Sequence, residues 1–529
     1  MDNTAVKELA SYYNVENPKV TQLLLAVLNA QEQGQYGIRL DGESKLHISS
    51  LSQDFLISDG GRVTPFVLKN DILMTRRIFL AVSDIWSFFD TISPRFFTDY
   101  KCIFTKGLSD EQKMAVINSM STRVSIITGG PGTGKTTVIA RLIKEFQNCY
   151  GENFRCTVCA PTGKAAMRLG AVFQQQDIDV IPSTIHRILG FSPSRGTFRA
   201  GPQSPLETDL IVVDECSMLD IFLARQLINS VNDNVSMVFI GDAQQLPPVG
   251  TGRFFGDMVD FFTKKSERVC VSVLSENFRA GAQGIKKLIE NVRDGALKPS
   301  VFDDFEDVSH IEDVSVTRKM ILKEGKIDSG WDCIEAHEVE NGLIKDNKYI
   351  KSFNKLMSSI ILTTMNKGLS GTENINALIR DNLEKLNYGG FEDFIPGERL
   401  IVTRNNYRWN IFNGDMGVCA NLKDSEDESL YLLVMDRDGL RLIPLNEISG
   451  YVNRGWAISV HRSQGSEFNS VHLIIPDSRQ MQSRELLYTG ISRAKKLLTI
   501  SSGKEILEKM VVTKKSPTVS LADLRPLHE

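Results

Sequence analysis

No apolar run in this chain is long enough to cross a bilayer, which argues against a helical membrane span. The opening stretch, MDNTAVKELASYYNV, pairs no basic flank with an apolar core, so no secretory leader is expected. There is no internal repeat and no low-complexity tract. Cysteine is sparse and scattered, eight in 529 residues, which suits a reducing compartment and makes the cytoplasm the expected address. Cys156 and Cys159 have metal-like spacing, but residues three apart on a strand face opposite sides and no second Cys/His pair lies nearby. They read as structural. A net charge of −4 excludes bulk electrostatic coating of nucleic acid and leaves only a local basic groove open.

The length calls for about three or four domains. Residues 1–105 carry no glycine-rich loop and no catalytic cluster, and read as a mainly helical N-terminal domain. Residues 106–300 alternate apolar strands with helical stretches, as a doubly wound α/β domain does. The strands expected there are 125–128, 157–160, 210–213, 237–240 and 270–274. Residues 301–355 read as an acidic connection. A second α/β domain is expected over 356–396 and 449–515, interrupted at 397–448 by short alternating strands that read as a small inserted β-barrel. The tail after about Lys514 reads as frayed.

The most informative stretch is Gly129 to Thr137, GGPGTGKTT, a complete phosphate-binding loop. Val124 to Thr128 before it is β-branched and apolar, and Val138 onward opens a helix, which is the context the loop requires. Gly130, Pro131, Gly132, Thr133, Gly134, Thr136 and Thr137 would close backbone and hydroxyl groups on the phosphates of ATP. Lys135 would reach the β- and γ-phosphates, and the Thr136 hydroxyl would bind Mg²⁺. The next apolar strand ends in Asp214-Glu215, a carboxylate pair at the edge where α/β sheets bind ligand. Asp214 is expected on Mg²⁺ and Glu215 as the base for the attacking water. Gln245, on the loop after the following strand, would hydrogen-bond either the γ-phosphate or the attacking water and so sense hydrolysis. Arg493, over two hundred residues on in TGISRAKK, would add a cation from a second domain.

Pro161, Thr162, Gly163 and Lys164 follow a strand directly and suit a sugar–phosphate backbone. His186, His461 and Ser463 offer similar polar groups in the two α/β regions. Asn413 lies in the barrel segment with Tyr407, Trp409 and Phe412; Tyr407 and Trp409 either stack on bases or fill the barrel, and Phe412 reads as buried.

The ordered set Leu108-Ser109-Asp110-Glu111-Gln112, GGPGTGKTT, APTGKAA, TIHRILG, DECSM, GDAQQLPPVG, VHRSQGSEF and LLYTGISRAKK resembles superfamily 1 DNA helicases, and within them the RecD family. The resemblance runs from about residue 65 to 500. It implies an α/β fold with two RecA-like doubly wound parallel-sheet motor domains, the insert being an SH3-like β-barrel. It implies ATP-driven 5′-to-3′ movement on single-stranded DNA, unwinding of double-stranded DNA, and assembly with RecB and RecC as part of exodeoxyribonuclease V. By the family pattern Gln112 would read adenine, Arg279 and Arg493 would contact the γ-phosphate, and Gly465 would line the nucleotide site. Pro248 departs from the small polar residue more usual there. No nuclease-type acidic cluster ending in lysine is present, so a nuclease site is expected on another subunit.

Two other functions fit less well. A DNA-binding scaffold has no use for Glu215, Gln245 and Arg493 together, and a small nucleotide kinase has no use for the second α/β region. Ile78, Phe79, Leu80, Ile85, Trp86, Phe88, Phe89, Phe96 and Phe97 form a dense apolar set in the first 105 residues. Part of it is expected on an exposed patch, making this region the dock for RecC and not part of the motor.

Overall fold

A computed structural model describes residues 8, 11–12, 17–49, 56–92, 107–264, 268–278, 281–324, 329–331, 334–385, 394–424, 427–478, 483–514 and 518–525. The chain divides into two compact units, the first made of residues 1–161, 165–278 and 516–529, the second of 162–164 and 279–515.

The first unit opens with helix Pro18–Glu32, started by Asn17, whose side chain accepts from Lys19 N. Strands β1 (Ile38–Arg39), β2 (Ile57–Ser58), β3 (Phe66–Lys69) and β4 (Ile72–Thr75) follow and pair in the order β1-β4-β3-β2. Where a mainly helical domain is expected, this region also holds a four-stranded sheet, missed because strands of two to four residues carry no readable periodicity. A small core of Val20, Leu24, Val27, Leu40, Ile48, Leu56, Phe66 and Leu73 holds it together.

Helix Arg76–Thr91 belongs elsewhere. Its buried residues Ile78, Ala81, Val82, Ile85, Trp86 and Phe89 recur at helical spacing, so they share one face. That face joins the same core as Ile126, Ile211, Val213, Met237 and Phe239 of the motor sheet. Trp86 meets Phe261 edge-on at 4.8 Å, and Phe89 meets Phe262 at 5.0 Å. The expected apolar patch is therefore not exposed: of the described members only Leu80 reaches 37% exposure. Phe96 and Phe97 lie outside the described residues. A helix this apolar can bury against its own domain or another, and here the adjoining motor supplies the larger surface.

The motor sheet of the first unit comprises β5 (Val124–Gly129), β6 (Cys156–Ala160), β7 (Ser183–Thr184), β8 (Leu210–Val213), β9 (Ser236–Gly241) and β10 (Val269–Leu274). All pairs are parallel, in the order β10-β5-β9-β8-β6-β7. β5, β8 and β9 are buried along their whole length, as a sheet covered on both faces requires. Cys159 is buried, Cys156 half-buried, and both thiols are free.

Residues 518–525 are packed in place where fraying is expected. Residues 518–525 lie across the first unit with Val519, Leu521 and Leu524 buried. Leu521 N donates to Asp257 Oδ2 at 3.1 Å, Tyr36 Oη donates to the same oxygen at 3.0 Å, and Trp86 Nε1 donates to Leu521 O at 3.0 Å. Arg525 closes on Asp90 at 2.6 Å. Three apolar residues spaced two and three apart are too few to signal this in sequence.

The second unit holds a parallel sheet of β11 (Val308–Ile311), β14 (Ser359–Thr363), β20 (Ala457–Ser459), β21 (Phe468–Ile474) and β22 (Ala494–Ser501), ordered β11-β22-β21-β14-β20. A seven-stranded, largely antiparallel sheet completes the unit. It contains β12 (Ile334–Glu335), β13 (Leu343–Ile344), β15 (Arg399–Val402), β16 (Met416–Asp424), β17 (Asp427–Asp436), β18 (Gly439–Pro444) and β19 (Val452–Arg454). The 301–355 stretch is thus more than a connection, supplying one strand to the parallel sheet and two to the antiparallel one. Alternation along β16 and β17 feeds two cores. Cys419 and Leu432 face one, while Val418 and Leu433 face another built on Trp331, Tyr349 and Phe353. Fully buried Glu398 joins helix Thr372–Lys385 to β19, meeting Arg380 at 3.2 Å and Arg454 at 2.8 Å.

Candidate functional site

β5 delivers its last residue, Gly129, into a loop that ends at helix Lys135–Tyr150. Gly132 and Gly134 hold φ of 80° and 78°, the left-handed region open to glycine. A Cβ on Gly134 would stand 2.4 Å from Gln112 Nε2, so the loop needs glycine there for space as well. Lys135 Nζ folds over the loop and donates to Gly129 O at 2.7 Å and Gly130 O at 2.9 Å. The Thr133 hydroxyl donates to Gly130 O at 2.9 Å. This is a cradle of backbone N–H groups with an ammonium across it, at the positive end of a sixteen-residue helix.

Gln112 sits beside the cradle. Its Nε2 donates to Thr133 O at 3.0 Å and its Oε1 accepts from Ser109 N at 3.1 Å, closing a capping box at the start of helix Asp110–Ser121. One amide hydrogen is left over by this arrangement for a base edge.

Because β9 lies between β5 and β8, the loops after all three meet at the carboxyl edge of the sheet. Asp214 closes β8; burial, then the neighbouring Glu215 charge, push its carboxyl up to about 6. Glu215 has φ of 53°, a left-handed conformation that costs a non-glycine residue roughly 1–2 kcal/mol. Backbone strain of this kind gathers at reacting centres. Gly241, ending β9, lets the turn pass: a Cβ there would lie 3.1 Å from both Cys216 N and Ser217 N. Gln245 is buried, with Nε2 donating to Asp242 Oδ2 at 3.3 Å and Oε1 meeting no partner among the described residues. A buried acceptor left open is costly, and a water proton would satisfy it. Ser217 Oγ, on the turn after Glu215, is also buried and meets no partner among the described residues.

Among the described residues no cluster of three or more His, Cys, Asp or Glu could hold a metal by itself. A magnesium ion brought by a nucleotide needs only one or two protein oxygens, and Thr136 with Asp214 fit that lighter demand.

Other expected residues fall as follows. Arg279 lies outside the described residues. Arg493 belongs to the second unit and is buried there, donating to Thr489 O at 3.0 Å, Ser466 O at 3.2 Å and Ser492 Oγ at 2.9 Å. Gly465, with φ of 72°, makes the turn after residues 461–463. Ser463 is fully buried with its hydroxyl donating to Val460 O at 2.7 Å, so it shapes the turn and presents nothing to a ligand. His461 is half-buried. Tyr407 is 65% exposed and Asn413 is exposed, as a nucleic-acid contact requires. Trp409 packs on the antiparallel sheet's core, and Phe412 is half-buried where full burial is expected. Pro161 falls in the first unit and residues 162–164 in the second. His186 is exposed, its ring 5.4 Å from Phe191.

One side chain at the site escapes sequence reasoning. Phe278 is 49% exposed, its N–H donates to Gly132 O at 2.9 Å, and its ring lies 3.9 Å from where a Gly134 Cβ would stand. An aromatic face held open beside Gln112 is a platform for a base. The only signal was its place directly before Arg279.

Residues 112–251 match the model of the AAA domain, and residues 454–501 that of the UvrD-like helicase C-terminal domain. The RecBCD enzyme subunit RecD of Buchnera aphidicola from Schizaphis graminum is 26% identical over 95% of this chain and 90% of its own length. The Haemophilus influenzae RecBCD enzyme subunit RecD is 29% identical over 75% of this chain and 69% of its own. The chain is a RecD-type superfamily 1 helicase. Its activity class is that of an ATP-dependent DNA helicase. The ATP-dependent RecD2 DNA helicase of Deinococcus radiodurans is 29% identical over 74% of this chain and 48% of its own. Among solved structures, a Bacteroides Pif1 helicase in complex with ADP-AlF3 and ssDNA is 19% identical, with TM-score 0.43, over 76% of this chain and 94% of that one.

Proposed function

We propose that this chain is the 5′-to-3′ single-stranded-DNA motor of a RecBCD-type helicase–nuclease, acting in the cytoplasm with RecB and RecC in double-strand-break repair and recombination. The observation that carries the reading is the meeting of phosphate loop, strained Glu215 and half-satisfied Gln245 at one edge of the first sheet.

In this reading Lys135 leaves the Gly129 and Gly130 carbonyls for the β- and γ-phosphates of ATP, and Phe278 with Gln112 receives the adenine. Thr136 and Asp214 would hold Mg²⁺, which would neutralise charge on the phosphate oxygens. Glu215 takes the proton of the attacking water, and Gln245 Oε1 accepts from that water and holds it in line. Arg279 and Arg493 supply cations to the charge that develops on the γ-phosphoryl oxygens.

Tyr407, Asn413 and His461 offer stacking and polar contacts to a single strand, with Thr162, Gly163 and Lys164. The antiparallel insert is read as an SH3-like barrel. The docking role expected of residues 1–105 passes to the small module ahead of helix Arg76–Thr91, since that helix is motor core.

Streptavidin displacement from single strands tests the polarity. ATP-dependent release from biotin at the 3′ end, and not at the 5′ end, is expected; release from the 5′ end alone reverses the assignment.

A further inference from the structure

The platform loop at residues 275–278 is held from one side by a single carboxylate. Ser275 N donates to Glu111 Oε2 at 2.7 Å, Glu276 N to the same oxygen at 3.1 Å, and the Ser275 hydroxyl to Glu111 Oε1. The Ser275 hydroxyl, with the two backbone N–H groups, holds the Glu111 carboxyl below its usual range. From the other side the loop is tied to the phosphate cradle, Asn277 Nδ2 donating to Pro131 O at 3.1 Å and Phe278 N to Gly132 O at 2.9 Å. Glu111 and Gln112 are consecutive in the first turn of helix Asp110–Ser121. One turn of helix therefore presents the amide beside the cradle and grips the loop that carries the aromatic face.

We propose that Glu111 is the positioning residue for base recognition, setting Phe278 against the base that Gln112 reads; this rests on the reading of the site as an ATP site. Three donors converge on two carboxylate oxygens. Glutamine at this position offers one acceptor oxygen and turns an NH₂ toward donors, and alanine offers nothing. Without that grip the loop stays attached to the cradle at residues 277–278 but loses its fixed approach, so the aromatic face is blurred before the phosphate site is touched.

The test compares Glu111→Ala, Glu111→Gln and Glu111→Asp in the full chain, with KM and kcat measured for ATP and for UTP at saturating single-stranded DNA, alongside Tm. Wild type is expected to favour ATP. Glu111→Ala and Glu111→Gln should raise KM for ATP about tenfold and move KM for UTP less than about twofold, with kcat changed far less than KM. Glu111→Asp, which keeps a carboxylate, should recover part of the selectivity. Unchanged ATP-over-UTP selectivity in Glu111→Ala overturns the proposal. So does an equal rise in both KM values with a fall in Tm, the pattern of a purely structural residue. Lys135→Ala is the control for the site itself: if it still turns over ATP, the ATP-site reading fails, visibly apart from any effect at Glu111.

Discussion

Replacing Trp86 by alanine should unfold the first unit far more readily than any change at an N-terminal docking domain could. Trp86 is 1% exposed, packs edge-on against Phe261 at 4.8 Å and Phe89 at 6.4 Å, and donates its indole N–H to Leu521 O. Truncating a buried tryptophan costs about 3–5 kcal/mol through lost burial and the cavity left behind. Orphaning the Leu521 carbonyl adds about 1–3 kcal/mol, partly overlapping with the cavity if water enters it. A loss of about 4–6 kcal/mol is a large share of the roughly 5–15 kcal/mol that holds a domain together. Trp86→Phe keeps most of the packing and loses the hydrogen bond, so it should cost only about 1–2 kcal/mol. The assay is urea unfolding followed together with ATP binding, because the helix carrying Trp86 shares a core with β5, β8 and β9. The two signals should be lost together, and earlier in Trp86→Ala. A Trp86→Ala chain within about 1 kcal/mol of wild type, with unchanged ATP binding, would refute the claim that residues 76–91 are motor core.

Gly134→Ala should raise KM for ATP at least about tenfold, since it adds left-handed strain and drives a methyl into Gln112 Nε2; an unchanged KM would show that the amide does not matter to binding. Asp257 supplies a pH signature. Burial pushes its carboxyl up to about 6, against the pull of Arg253, Leu521 N–H and Tyr36 Oη, from about 3.9 in the unfolded chain. A raised folded-state pKa means stability that is fully present below the unfolded value and lost as pH rises through about 6. The Tm of wild type minus that of Asp257→Asn should therefore fall between pH 4 and 7, and a pH-independent difference would sink the assignment.

Legibility followed how locally each feature is encoded. The phosphate loop and the Asp214-Glu215 pair are set by a few consecutive residues, and apolar runs at 210–213 and 237–240 announced the strands beside them. Glu215's backbone strain has no sequence signature, since nothing in the residue type marks a glutamate for a φ of 53°. Phe278 and Glu111 were passed over for a related reason: their roles come from a meeting of residues 111 and 275, 164 positions apart. The apolar set at 78–89 was visible as a set, but its partner was not, because composition is the same whether a face meets a partner or its own motor. Residues 518–525 read as a loose end for want of any pattern, yet Leu521 is fully buried. Arg493 was singled out from its order in the motif series, and the structure finds it bonded to carbonyls in its own unit, contacts that the order of motifs does not encode.

The account's central claim is that one carboxylate, Glu215, drives hydrolysis in the first unit. Steady-state ATP turnover with saturating single-stranded DNA, measured beside equilibrium ATP binding in wild type and Glu215→Gln, tests it most directly. The account predicts binding within about threefold of wild type and turnover lower by about 10²–10⁴, the usual contribution of a general base. Turnover at the wild-type rate in Glu215→Gln would contradict it.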